Sequence, residues 1–247
     1  MRRTAYLLAL GLVMSLAAGA AHADFAKLKK AWFGGTKPGT YATWEQTTTD
    51  PKGKTSAVEM TMARLENEGE MVWLEVRTVP KAGSKQKAST MRYLLNPQFD
   101  PEKNPLDFVK HIERVIVQED GKEAAEMPWD MVRPMMGSVL GMVDFGSDVV
   151  EKGPETVDGK ACERFSMSGR YQMKILFFEM KGTYESEIWL SDSVPFGRVK
   201  ESDVLKDEKG NVTKTEWKLL GSGSGYVSKI TGPVGKSEPM PKLPFGN

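Results

Sequence analysis

From residue 41 onward, short runs of the chain alternate apolar and polar side chains, as where Val58, Met60 and Met62 interleave with Glu59 and Thr61. A period of two puts successive side chains on opposite faces of an extended backbone, so each run predicts a strand with one face on a core. The pattern gives strands over 41–48, 56–65, 71–79 and 88–95, and again over 161–168, 171–180, 183–191, 197–205 and 212–220. Between them stand Asp50-Pro51-Lys52-Gly53, Glu68-Gly69, Lys81-Ala82-Gly83-Ser84, Asp158-Gly159 and Glu208-Lys209-Gly210-Asn211. These residue types supply the backbone angles that tight turns need, and links this short make consecutive strands antiparallel hairpins.

Three segments depart from this period. Phe25, Leu28 and Trp32 have helical spacing before Gly34-Gly35, which predicts a short amphipathic helix over 24–33. In 106–118, Leu106, Val109, Ile112 and Val115 fit a helix, whereas Arg114-Val115-Ile116-Val117 before Asp120-Gly121 fits a strand entering a turn; together they predict a helical turn leading into a strand. Over 128–143, Met131, Met135, Val139 and Met142 recur about one turn apart, predicting a helix with a methionine-rich face. The expected fold class is therefore α+β and mainly β, one large antiparallel sheet with helices on one face. Open sheets beyond roughly ten strands curl or split, so the sheet is expected to have a concave side that helices cover.

The two ends of the chain differ from its middle. Arg2 and Arg3 precede an apolar run from Ala5 to Ala18, and Ala21-His22-Ala23 suits a signal peptidase, so residues 1–23 are expected to be a cleaved export signal. The run is too short for a spanning helix, and Asp24 rather than a lipid-attachment cysteine follows the site. Cleavage after Ala23 leaves 224 of the 247 residues, expected as one domain over 24–231 and a Pro/Gly/Lys-rich mobile tail over 232–247. The expected location is the periplasm, with no transmembrane anchor.

With 34 Lys+Arg against 33 Asp+Glu the chain lacks the basic footprint of a nucleic-acid binder. Cys162 is the only cysteine, so no internal disulfide forms, and it reads as a small buried apolar residue. Beyond His22 the only histidine is His111, which excludes a histidine-rich metal site. No nucleophile elbow, phosphate loop or H-E-x-x-H motif is present, and Gly221-Ser222-Gly223-Ser224-Gly225 follows a strand without opening a periodic helix. Glu185 and Glu187 alternate onto one face of a strand, the pattern of a solvated outer face rather than of a hydrolytic pair across a gap. No catalytic residue, metal ligand or cofactor is assigned, and the chain is read as non-enzymatic.

Three stretches of the second half form a family pattern: Val157-Asp158-Gly159-Lys160-Ala161-Cys162, Tyr184-Glu185-Ser186-Glu187-Ile188-Trp189-Leu190-Ser191-Asp192, and Val194-Pro195-Phe196-Gly197-Arg198-Val199-Lys200. They resemble the LolA-like superfamily of periplasmic lipoprotein carriers and its secreted bacterial relatives. The resemblance implies an unclosed antiparallel half-barrel, helices over its concave face, and a hydrophobic cavity between them. It also implies a lipid or a lipidated protein as ligand, and an envelope protein as a further partner.

Methionine side chains are flexible and polarizable, which suits a surface that repacks around variable apolar ligands. The candidate lining of such a cavity is Trp44, Met60, Met62, Trp73 and Phe177 on the strands, with Met131, Met135 and Val139 on the covering helix. Which strand faces point inward is not fixed by one sequence, because a one-residue slip exchanges the whole lining. Two other readings stand beside a ligand carrier: an envelope interaction module whose cavity is filled by side chains, and a cuprous-ion site built from the thioethers of Met131, Met135 and Met136.

Overall fold

The computed structural model describes residues 36–81, 86–98, 110–129, 133, 147–175 and 178–236. The alternating runs form β1 (Tyr41–Thr49), β2 (Thr55–Glu68), β3 (Met71–Pro80), β4 (Ser89–Leu95), β5 (Ile112–Glu119) and β6 (Ala124–Met127). They continue as β7 (Ser147–Val157), β8 (Lys160–Ile175), β9 (Phe178–Leu190), β10 (Arg198–Asp207), β11 (Val212–Gly223) and β12 (Val234–Lys236). All twelve lie in one sheet, ordered β12-β6-β5-β4-β3-β2-β1-β11-β10-β9-β8-β7. Two antiparallel meanders, β1–β6 and β7–β11, are thus joined by the pairing of β1 with β11, and β12 adds in parallel to β6. Among the described residues the sheet is not closed, and β12 and β7 are its edges.

The expected export signal, the opening helix and all of the methionine helix except Pro128, Trp129 and Arg133 lie outside the described residues, and so do the helices expected over a concave face. Trp129 and Arg133 are helical, and Lys110 and His111 end a helical turn that runs into β5. Among the described residues no helix is long and apolar enough to cross a membrane.

Two strand boundaries differ from expectation. The run 161–168 and the first part of 171–180 form one strand, β8, which continues through Gly169 to Ile175, while Phe178–Met180 open β9, which continues through Gly182. Neither glycine has a positive φ, so neither turns the chain. Gly182 marks a close approach instead: a Cβ there would lie 2.0 Å from the Lys206 carbonyl oxygen and 2.8 Å from the Tyr171 hydroxyl. Asp158 and Gly159 do turn the chain, with φ of 47° and 75°, the paired left-handed angles of a two-residue hairpin loop. The strand before that loop, β7, escapes the pattern reading because Lys152, Gly153 and Pro154 interrupt it.

Cross-strand register sorts the side chains onto two faces. One carries Val115, Tyr93, Leu74, Met91, Val76, Met62 and Ala42, then Trp44, Leu219, Trp217, Ile188 and Phe165, an apolar layer reaching across the nine strands from β5 to β8. Trp129, just past β6, is buried in the same cluster. The other face is mostly polar and carries a strap. After β11 the chain follows a single row of that face, Tyr41, Ala63, Glu75, Arg92 and Ile116, and then joins β6 as β12. Within the segment expected as a tail, 232–247, Val234–Lys236 are therefore paired strand, and 237–247 lie outside the described residues.

Candidate functional site

The apolar face gathers three of the predicted site residues. Trp44 and Met60 are register partners, and Met62 sits two residues along the same face; all three are buried, at 4%, 8% and 6% exposure. Trp73 does not join them. Val72, Leu74 and Val76 occupy the apolar face, so Trp73 between them falls on the polar one, where its indole N–H donates to Glu68 Oε2 (3.0 Å) and the Arg92 and Arg114 guanidinium groups lie 5.9 and 5.5 Å from its ring. A tryptophan flanked by cations can be satisfied on a polar surface, which hydrophobicity alone does not reveal. Met131, Met135, Val139 and Phe177 lie outside the described residues, as does Met136.

The turn between β9 and β10 closes one end of this face. Ser191 N–H donates to the Gly197 carbonyl (2.8 Å) and Gly197 N–H to that of Val194 (2.9 Å), folding Val194 and Phe196 back into the core at 3% and 2% exposure. Phe196 takes a φ of 65°, a left-handed angle unusual for an aromatic residue, and its ring meets Trp44 edge-on at 6.5 Å. The Trp44 indole N–H donates to the carbonyl of Arg198 (2.9 Å), which ties the turn to β1. The Val194-Pro195-Phe196-Gly197 motif is thus a buried plug beside Trp44.

Next to this plug a charged cluster sits in the apolar layer. Register aligns Trp217, Glu201, Ile188 and Phe165 in one row, and Thr215, Asp203, Ser186 and Met167 in the next. Arg198 Nε lies 2.9 Å from Glu201 Oε2, and the guanidinium stacks over the Trp217 ring at 4.6 Å. The Ser186 hydroxyl donates to Asp203 Oδ1 (2.6 Å). Glu201 is wholly buried, and burial pushes its carboxyl up to about 8; Arg198 opposes that rise and Asp203 adds to it. Asp203 is raised as well, by burial against the lowering action of Ser186 and Arg198. The Arg198 contact is close without hydrogen-bond alignment, so apart from the carboxyl–carboxyl contact with Asp203 neither Glu201 oxygen has a donor, and the buried Trp217 indole N–H has no acceptor. Polar groups left so in an apolar layer cost free energy that a purely structural core avoids.

Sequence reasoning passed over this cluster. The available signal was parity: Val199 and Leu205 are apolar and alternate with Lys200 and Lys206, so Glu201 and Asp203 between them share their inward side. Glu185 and Glu187 lie on the polar face, as their spacing predicts: Glu185 is exposed and Glu187 pairs with Arg164 (2.7 Å). Cys162 is buried, its Sγ donates to the Lys160 carbonyl (3.4 Å), and burial pushes its thiol up, away from the reactive thiolate. A cleft of about 540 Å³ also opens beside Gly182, but its lining is polar: Arg170, Gln172, Lys181, Thr183 and Asp207 surround Tyr171 there.

No family model matches the chain, and no curated protein matches it significantly. Solved structures do match. One is described as an exported protein with a YmcC-like fold from Bacteroides fragilis, 12% identical, covering 76% of this chain and 97% of its own, with a TM-score of 0.36. The lipoprotein LppX of Mycobacterium tuberculosis is 10% identical, covering 83% of this chain and 99% of its own, with a TM-score of 0.32. A LolA superfamily protein of Nitrosomonas europaea is 10% identical, covering 82% and 92%, with a TM-score of 0.31.

Proposed function

We propose that this chain is an exported, non-enzymatic, periplasmic protein that binds a hydrophobic ligand, a lipid or a lipidated protein, against the apolar face of its sheet. The observation that carries the reading is the composition of that face: Trp44, Met60, Met62, Met91 and Trp217 supply broad, adaptable apolar contact, and the charged cluster among them is not what a filled core would contain. Burying a sixteen-carbon acyl chain releases on the order of 10 kcal/mol before ordering costs, at about 0.8 kcal/mol per methylene, so apolar contact alone can hold such a ligand. Location in the periplasm follows from the export signal expected over 1–23.

Native mass spectrometry of the protein purified from its own cell envelope tests the proposal. A co-purifying lipid mass, displaced by a fluorescent fatty-acyl probe, is the expected result. Protein that is always ligand-free and excludes such probes overturns it.

A further inference from the structure

We infer that the polar end of the bound molecule is received where Arg198, Glu201 and Trp217 meet, and that this end is an uncharged head able both to donate and to accept hydrogen bonds, such as an amide or a hydroxylated ester. The inference rests on the hydrophobic-ligand reading and specifies the chemistry of its ligand.

The hydrogen-bonding capacity of the cluster is left over in a particular form. The Trp217 indole is 1% exposed and its N–H, which can only donate, has no acceptor. Its register neighbour Glu201 is 0% exposed and neither carboxyl oxygen has an aligned donor. A molecule resting on this row therefore meets one group that needs an acceptor and one that takes a donor. An amide offers both on one carbonyl carbon, and the hydroxyl-and-ester end of a monoacylglycerol offers both a few bonds apart.

Charge argues for a neutral head as well. The one cation of the cluster, Arg198, is already held against Glu201 at 2.9 Å, and Asp203 lies two residues along the same face, its Oδ1 taken by Ser186. An arriving carboxylate or phosphate would meet two carboxyls around a committed guanidinium, and an arriving ammonium would meet that guanidinium. A carboxylate or phosphate gains no free cation to offset its desolvation, an ammonium reaches the Glu201 oxygens only beside the Arg198 charge, and a neutral head leaves its water at much lower cost.

The test measures displacement of one fluorescent acyl probe from the full-length protein by three competitors of equal chain length: hexadecanamide, hexadecanoate and hexadecane. Wild type should favour the amide over the carboxylate by about tenfold, the scale of one hydrogen bond to a charged or strongly polar group. Glu201→Met, close to Glu in volume but apolar, should bring the two within about twofold while hexadecane binds as before, and Glu201→Gln should keep the preference. Trp217→Phe, which removes the N–H, should weaken the amide more than hexadecane and stands in if Glu201→Met does not fold. Equal binding of amide and carboxylate by wild type, or a preference that survives both Glu201→Met and Trp217→Phe, overturns the inference and leaves the ligand reading in place. Failure of all three competitors and of the probe overturns both.

Discussion

Glu75 and Glu201 are each fully buried, one on either face of the sheet, and their surroundings treat them in opposite ways. Glu75 accepts from the Tyr226 hydroxyl (3.0 Å), the Lys229 N–H (2.7 Å), the Ser228 hydroxyl (2.5 Å) and Arg92 (3.2 Å). Glu201 has only its ion-pair contact with Arg198 and the neighbouring Asp203. Because burial raises the Glu201 carboxyl from 4.5 to about 8, the folded state holds its proton more tightly than the unfolded state does. Between those values the folded protein carries more bound protons, so this group's contribution to stability is fully present below about pH 4.5 and is lost as pH rises towards 8. Asp203 is raised and acts in the same direction. Urea denaturation across pH 5 to 8 should show stability falling with pH in wild type and a shallower slope in Glu201→Gln; equal slopes would place the dependence elsewhere. Phe196 offers a second residue-scale test. Loss of its buried ring should cost about 3 kcal/mol in Phe196→Ala, as for other core Phe→Ala changes. Phe196→Gly should be no less stable than Phe196→Ala despite the further lost carbon, because glycine tolerates the φ of 65° that alanine resists by about 1 kcal/mol. Chemical denaturation midpoints of the two variants give the comparison directly.

At the scale of elements, the strap after β11 explains why Glu75 can be buried on a polar face. Tyr226 is anchored by its N–H to the Gly39 carbonyl (2.9 Å) and its ring lies 5.9 Å from that of Tyr41. Ala63, the small residue between Tyr41 and Glu75 in the row, is fully buried, and Ile230 packs on Ile116 and Ala124 further along. Glu75→Ala should therefore destabilise by about 3–5 kcal/mol, since it leaves several donors and Arg92 without their acceptor. Tyr226→Phe, which removes one hydroxyl, should cost about 1 kcal/mol. A double-mutant cycle should give less than the sum, because both changes break the same network; strict additivity would mean that the strap is not held through Glu75. The strap also marks where the sequence stops being legible. Alternation reveals strands whose two faces differ, so β1–β4, β10 and β11 are read to within a few residues. It fails for β7, broken by Lys152, Gly153 and Pro154, and for β12, whose pairing depends on a crossing of the sheet that no local pattern encodes. The site is legible in the same degree. Trp44, Met60 and Met62 reach the apolar face because their strands have clean parity, whereas Trp73 is large and apolar but has the wrong parity for that face. Glu201 is a charged residue with the right parity, and residue type hides what position shows.

At the scale of the whole molecule, the consequential fact is that among the described residues a twelve-stranded sheet stops at two edges instead of closing. Open edges present unpaired backbone groups that can pair with another chain, so a stable sheet needs each one blunted. β12 is only three residues long and offers little to pair with. β7 is eleven residues long, with Val150 46% exposed along it, and must be protected in another way. A bulge between Glu151 and Gly153 breaks its register with β8, Gly153 takes a φ of 90°, Pro154 has no N–H to offer a new strand, and Lys152 adds an exposed charge. Replacing both protecting side chains, Lys152→Val with Pro154→Val, restores an apolar β-forming edge with an additional donor. The double variant should associate at concentrations where wild type does not, with a rise in mass by light scattering after size exclusion. Denaturation midpoints should stay within about 0.5 kcal/mol of wild type, since neither residue is buried. A mass unchanged from wild type would mean that the bulge alone keeps the β7 edge from pairing, and deleting residue 152, the extra residue of the bulge, alongside Pro154→Val should then produce the association that the side-chain changes did not.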